Sequence, residues 1–315
     1  MKVIELAEPY AKSEIYPEQI VLALGFFDGV HRGHQAVIKA AKQQAPKMGV
    51  KLAVMTFDRH PSAIFQQRDP QKIQYLTPIT EKLALFEKFG ADIAYVVKFD
   101  EKLAYLKPQE FIDKYVVGLN AVGITAGSDY TYGPHTVANM KNLPKYAKNR
   151  FEIQTVELLK EDEKVGSTGI REALANGKVE LAAHYLGYVY QTTGKVVHGF
   201  ERGRQIGFPT LNIETSPAKQ LPAVGVYAVE VGLDGKRYHG MASIGYNETF
   251  GDDLAKTLEV NLFDFSAMVY GKKVTVYWKN YLRPMVKFNS IAELIAQLEA
   301  DKQHSEALLN VQNEN

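Results

Sequence analysis

Histidines, hydroxyls and arginines stand in this chain at spacings that suit phosphate chemistry. The first stretch reads Gly25-Phe26-Phe27-Asp28-Gly29-Val30-His31-Arg32-Gly33-His34. Its glycines let backbone approach a phosphate, and a helix opening there offers free N–H groups and the positive end of its dipole. His31 and His34 are three apart, so both rings can face one anion. Imidazoles in that place could hydrogen-bond a triphosphate and steady charge at its α-phosphorus. The same spacing occurs in zinc sites, yet the chain has no cysteine and no third ligand is obvious nearby. A second group is Ser167, Thr168 and Arg171. Its hydroxyls can cap a helix, and the arginine one turn on can reach phosphate oxygens. A third stretch, residues 194–212, carries four glycines and three Lys/Arg. It lacks the G-x-x-x-x-G-K-[ST] spacing and is not a P-loop.

The elements that must position these residues fall into two textures. Up to about residue 186, short β-rich runs alternate with helical patterns, which predicts a parallel sheet with crossover helices. Strands are expected at 20–26, 51–57, 93–97, 122–125 and 151–156, and helices at 33–48, 80–89, 108–117, 167–176 and 179–186. In the helix at 80–89, Leu83, Phe86 and Phe89 form the apolar face. The Gly25 stretch then lies at the carboxyl end of the first of these strands, where ligands bind in open α/β sheets. From 187 on, short aromatic and β-branched runs are separated by Gly, Pro and Asp. Strands are expected at 225–232, 238–246, 257–263 and 273–282, with an Asp234-Gly235 hairpin turn and a closing helix at 291–309. This predicts two domains, 1–186 and 187–315.

Composition excludes several roles. Lys+Arg number 37 and Asp+Glu 36, so no basic field exists to hold a nucleic acid. The lack of cysteine rules out disulfides, thiolate metal sites and a cysteine nucleophile. The N-terminus carries Glu5 and Glu8 and has no apolar signal core. The longest apolar run, 20–27, is interrupted by Gly25 and is too short to cross a bilayer. No membrane partner and a cytoplasmic location are expected. Nothing in the pattern points to an oligomeric state.

His31-Arg32-Gly33-His34 resembles the HxGH motif of nucleotidylyltransferases, which transfer a nucleotidyl group from an NTP and release pyrophosphate. Val165-Gly166-Ser167-Thr168-Gly169-Ile170-Arg171 is similar to their second motif, with Gly166 in place of its first serine. Thr56-Phe57-Asp58-Arg59-His60-Pro61 and Gly127-Ser128-Asp129-Tyr130-Thr131-Tyr132-Gly133 look like the TFxPHP and GxDFxFG segments of bacterial FAD synthetases. Arg59 stands at a position that is often proline, and the basic pair usual after Gly133 is missing. The resemblance implies that Gly25, Phe26, Asp28, Gly33, Asp129, Ser167, Thr168 and Arg171 bind ATP, that His31 and His34 act on it, and that His60 and Pro61 meet the flavin. Asp129 suits a ribose hydroxyl or a metal, or the capping of a turn. The nucleophile so implied is the FMN phosphate. With a second pKa near ~6 it is already dianionic, so no general base is required.

Gly207-Phe208-Pro209-Thr210-Leu211-Asn212 resembles the G-x-P-T-x-N motif of riboflavin kinases, and further matching pieces follow in order to Leu282-Arg283-Pro284. Glu248 replaces a usual proline and Asn261 a common histidine. By this resemblance the ribityl 5′-OH of riboflavin attacks the γ-phosphate of ATP, and Glu259 is the general base. Glu259 lies in an otherwise apolar strand, where burial would favour proton uptake; the competing reading is an outward-facing strand glutamate. Thr210 and Asn212 share one strand face and would hold Mg²⁺ on the phosphates. Gly194, Lys195, His198, Gly199, Arg204 and Gly207 would contact ATP, and Arg283 the flavin or the product phosphate.

Together the motifs identify the chain as resembling bifunctional riboflavin kinase/FMN adenylyltransferases. The fold implied is α/β plus β: a Rossmann-like nucleotidylyltransferase domain, then a six-stranded antiparallel β-barrel with a C-terminal helix. Riboflavin, FMN and ATP are the implied partners and FAD the implied product. The alternative is riboflavin kinase activity alone, beside a weakened adenylyltransferase.

Overall fold

The computed structural model describes all residues except 68, 70–71, 158–165, 200–201, 247–255 and 312–315. Val165 and Glu248 of the motifs above lie outside the described residues. Contacts divide the chain into two compact units, Met1–Gly166 and Ser167–Asn315.

The first unit is built on a parallel six-stranded sheet. In chain order its strands are β1 (Lys2–Leu6), β2 (Ile20–Leu24), β3 (Lys51–Phe57), β4 (Ile93–Val97), β5 (Ala121–Gly127) and β6 (Glu152–Val156). Their order across the sheet is β1-β4-β3-β2-β5-β6. β2 is Ile-Val-Leu-Ala-Leu and buried throughout, as a parallel strand covered on both faces must be. The direction of winding reverses at β2, which pairs with β3 on one side and β5 on the other. A crevice at the carboxyl end of such a strand is where α/β sheets bind ligands. Helix α1 (Arg32–Gln44) follows β2 across that edge.

Three sequence expectations are corrected here. The helix expected at 33–48 stops at Gln44 and continues as a 3-10 turn, Ala45–Met48, because Pro46 lacks an N–H for the α-helical ladder. The helix expected at 108–117 is α-helical over Pro108–Ile112 and then a π-helix over Asp113–Val117. In α2 (Ile79–Lys88) Phe86 is buried as expected, but its buried neighbours are Glu81, Lys82 and Leu85, while Leu83 and Phe89 are half-buried.

The second unit begins with helices α3 (Ser167–Ala175) and α4 (Val179–Leu186). Strands β7 (Gln191–Val197), β8 (Leu211–Thr215), β9 (Gly225–Leu233), β10 (Lys236–Tyr246), β11 (Lys256–Leu262) and β12 (Lys273–Arg283) then close a barrel in the order β10-β11-β8-β7-β12-β9. Every pair is antiparallel. Asp234 and Gly235 both take positive φ, 50° and 78°, as a type I′ hairpin requires. Helix α5 (Ile291–Val311) packs on β9, β10 and β12.

The helix pair α3–α4 is tied to the barrel. Ala223 N–H donates to Leu174 O at 2.8 Å. The Glu180 carboxylate accepts from Asn280 Nδ2 and Tyr281 N at 3.1 and 3.2 Å. Gly177, at φ 73°, turns the pair so tightly that a Cβ there would sit 3.0 Å from the Tyr281 ring.

The barrel core includes Trp278, the chain's single tryptophan, at 0% exposure. Its indole N–H donates to Thr192 Oγ1 at 2.9 Å, and that threonine is equally buried. Thr192→Val keeps the shape and leaves the indole N–H unpaired, at a cost of about 1–3 kcal/mol. Trp278 fluorescence reports the barrel alone, so the variant should show a lower urea midpoint at unchanged slope. An unchanged midpoint would contradict the assignment of that bond.

Candidate active sites

At the end of β2 the chain turns through three left-handed residues: Phe27 at φ 56°, Gly29 at 82° and Val30 at 38°. A β-branched residue at positive φ is strained and persists only where neighbours fix it. Here they do. Asp28, 3% exposed, accepts from Thr77 N at 3.0 Å and Leu76 N at 3.2 Å. Gly29 N–H donates to Thr77 Oγ1 at 2.8 Å, and Val30 N–H to Phe27 O at 3.2 Å. Gly25 is required for the same reason, since a Cβ there would lie 2.8 Å from the Phe27 ring. Asp28 and Gly25 therefore shape the turn.

That turn delivers His31 and His34. Their rings stack 3.6 Å apart, inclined by 22°. The Nδ1 atoms of both are shielded from solvent and lack a hydrogen-bond partner among the described residues. Burial pushes the His31 imidazole down to about 4, partly opposed by Asp28. Burial, then His31 and Lys82, hold His34 well below the usual histidine range. Both imidazoles are thus neutral at pH 7, each with one N–H to donate and one nitrogen to accept. Two unpaired ring nitrogens at a helix start suit the oxygens of a bound phosphate.

Phe26 sits at the mouth of the same crevice. The His60 ring meets it edge-on at 4.9 Å and Tyr75 lies at 6.0 Å. His60 is exposed, with Nδ1 2.8 Å from Ser62 Oγ, and Pro61 opens the short helix Ser62–Phe65. The structure therefore brings Phe26 and His60 together, with Pro61 next to His60 in the chain. Asp129 is exposed in the turn after β5. Two residues that sequence reasoning missed also belong to the crevice. Thr77 anchors Asp28, and Lys82 is a buried lysine beneath Phe26. The signal for Lys82 was its place one turn before Phe86 on the inner face of α2.

Ser167, Thr168 and Arg171 lie on α3, which counts with the barrel unit. Arg171 Nη1 donates to Gln220 Oε1 at 2.7 Å, and Ser167 is half-buried while Thr168 is exposed.

In the barrel, a cavity of about 210 Å³ has Phe208, Met241 and Phe288 on its apolar wall and Thr210, Glu259 and Arg283 on its polar wall. Thr210 Oγ1 donates to Glu259 Oε2 at 3.1 Å. Asn212 pairs with Glu259 across β8 and β11. Thr210, one residue before β8, and Asn212 within it therefore flank one carboxylate, as their spacing predicts. Glu259 is half-buried on the cavity wall, less enclosed than its apolar strand suggested. Gly199 closes on this group, and a Cβ there would sit 2.0 Å from Asn212 Nδ2. Asn261 Nδ2 donates to Pro209 O at 2.7 Å and braces the same loop.

Arg283 lines the cavity but is also clamped by Asp301, with Nε 3.0 Å from both carboxylate oxygens and Nη2 2.7 Å from one of them. Gly194, Lys195, His198, Arg204 and Gly207 of the third stretch are not among the residues that line the cavity. Gly194 is inside β7, where a Cβ would meet Ile213 Cγ2 at 2.4 Å, so close strand packing already demands glycine. Lys195, Arg204 and Gly207 are exposed. His198 is exposed and stacks on Tyr270 at 3.7 Å. Among the described residues no group of three or more His, Cys, Asp or Glu is arranged to hold a metal ion, and no helix is long and apolar enough to cross a membrane.

Comparison with known proteins agrees with this division. Residues 13–169 match the FAD synthetase family and residues 186–309 the riboflavin kinase family. The chain is 46% identical over 308 residues to a bifunctional riboflavin kinase/FMN adenylyltransferase of Listeria monocytogenes, covering 98% of each protein. It is 44% identical to the Bacillus subtilis protein of the same name, covering 97% of each. A solved structure called a macrolide-efflux protein from Streptococcus pneumoniae superposes with a TM-score of 0.88 at 36% identity, over 96% of this chain and 99% of that one. Identity at this level runs through both units and in one order, and it makes the chain a member of the bifunctional riboflavin kinase/FMN adenylyltransferase family.

Proposed function

We propose that this chain makes FAD in two ATP-dependent steps. The barrel phosphorylates riboflavin to FMN, and the nucleotidylyltransferase domain joins FMN to the adenylyl group of a second ATP, releasing pyrophosphate. By motif, residues 1–186 serve the second step and 187–315 the first. The observation that carries the reading is the pairing of two family matches in one chain with a barrel cavity whose polar wall holds Thr210 and Glu259, with Asn212 paired to Glu259 across the strands. Riboflavin, FMN and ATP are all cytoplasmic metabolites, and we place the enzyme there.

In the kinase step, the ribityl 5′-oxygen forms a bond to the γ-phosphorus while the bond to the β-phosphate oxygen breaks, releasing ADP. The 5′-OH proton passes to the Glu259 carboxylate. The apolar wall of the cavity suits the flavin ring, and Arg283, fixed by Asp301, marks its rim. Thr210 Oγ1 and Asn212 Oδ1 are hard oxygen donors and fit Mg²⁺ carried on ATP phosphates. When bound, that ion offsets charge on the transferring phosphoryl group.

In the adenylyl step, an FMN phosphate oxygen attacks the α-phosphorus and pyrophosphate leaves. The nucleophile is already ionised, so the protein has only to align and to offset charge. Neutral His31 and His34 donate N–H bonds to phosphate oxygens, and Gly33 lets the α1 start approach them. Ser167, Thr168 and Arg171 are assigned to the same phosphates by motif, and His60 and Pro61 beside Phe26 to the flavin.

The two halves should fail independently. Glu259→Gln should lower riboflavin phosphorylation by about 10²–10⁴-fold and leave adenylylation of supplied FMN at the wild-type rate. His31→Ala should do the reverse, with a loss of about 10²–10³-fold in FAD formation. Equal loss of both reactions in either variant would overturn the assignment. Gly199→Ala should push Asn212 off its place and cost about 10²-fold in phosphorylation alone. Unchanged kinase kcat/KM in that variant would remove Asn212 from the site.

A further inference from the structure

Lys82 belongs to neither motif, yet it is 2% exposed and lies under the nucleotide crevice. Its Nζ donates to Phe26 O at 2.8 Å and to Thr56 Oγ1 at 3.3 Å, and it stands 3.9 Å from the centre of the Phe26 ring. Thr56 Oγ1 also donates to Phe26 O, at 2.7 Å. The carbonyl so held is the last before the left-handed turn at Phe27. A charge taken out of water is costly unless it is matched, and in a dry crevice its field is poorly screened. The charged and titratable groups acting on Lys82 are Asp28 in the turn and His34 on α1. Thr56 and Phe26, on and beside the strand ends, offer neutral oxygen acceptors. Burial pushes the Lys82 ammonium down to about 8, against the pull of Asp28.

Resting on the adenylyl-transfer reading above, we infer that Lys82 is a positioning residue for that reaction: it ties Phe26 O and Thr56 Oγ1 so that the turn presents His31 and His34 to ATP, and it lends the anion site a buried positive charge. Asp28 fixes the turn from one side, through Thr77 and Leu76, and Lys82 from the other. A triphosphate bound at the histidine pair meets neutral donors, with the Lys82 cation behind them.

The sign of the pH effect follows. As pH rises through about 8 the free enzyme loses this charge, so kcat/KM for ATP in FMN adenylylation should fall there. The test uses the full chain and measures adenylylation of supplied FMN from pH 6.5 to 9.5, with riboflavin phosphorylation as the internal control. Lys82→Met should raise KM for ATP at least tenfold at pH 7 and abolish the alkaline limb, leaving phosphorylation unchanged. Lys82→Arg keeps the charge at every pH, so the limb should vanish while most activity at pH 7 survives. A Lys82→Met enzyme with the wild-type KM and pH profile overturns the inference. If that variant does not fold, Lys82→Arg decides, and a limb still near pH 8 overturns it. Wild-type enzyme without any FMN adenylylation would instead sink the underlying reading.

Discussion

The turn between β2 and α1 is the constraint that the proposed nucleotide site depends on. A buried parallel strand has to hand the chain to a helix across the sheet edge while leaving room for a phosphate. The chain does so through Phe27, Gly29 and Val30, all at positive φ, a conformation that costs energy at Phe27 and Val30. Asp28 is the anchor, buried and bonded to backbone N–H groups of Leu76 and Thr77 from a distant segment. With the turn fixed, His31 stands at the residue before α1 and the His34 ring stacks on it. Their neutrality is a consequence of the same burial. The electrostatics of the site therefore begin with where the backbone is forced to bend.

The barrel solves a different problem with similar means. A phosphoryl transfer to an alcohol needs a proton acceptor next to a cation-binding group. Antiparallel pairing puts Asn212 directly opposite Glu259, and the residue two before Asn212 reaches the same carboxylate. The loop carrying Gly199 then packs against Asn212 so closely that no side chain fits. Helices α3 and α4 join this unit through Leu174, Gly177 and Glu180. The adenylyltransferase motif of Ser167 and Arg171 thus rides on an element that the barrel holds.

Much of this was legible from residue order. The strands expected at 51–57 and 93–97 are β3 and β4, because long apolar runs are diagnostic when both faces are buried. The Asp234-Gly235 hairpin also follows from local pattern, as does the shared face of Thr210 and Asn212, while Glu259 was joined to them by the family resemblance. β1 escaped notice because it is an edge strand that buries just Ile4 and Leu6. β7 and β8 were hidden in a glycine-rich stretch whose Gly194 serves strand packing. Lys82 left one faint signal, its place a turn before Phe86, and nothing in the sequence showed what it would bond. On a helical wheel it is a polar residue beside Leu83, and its burial becomes favourable once Phe26 O from the turn after β2 and Thr56 Oγ1 from β3 reach it. The stacking of His31 on His34 likewise depends on the strained turn before them.

The central claim is that one chain carries both chemistries, in sequence. Incubating the full-length protein with riboflavin, ATP and Mg²⁺ and separating the flavins over time tests it most directly. The account predicts that FMN rises first and FAD then grows at its expense. A reaction that forms no FMN, or that leaves even added FMN unconverted, would contradict it.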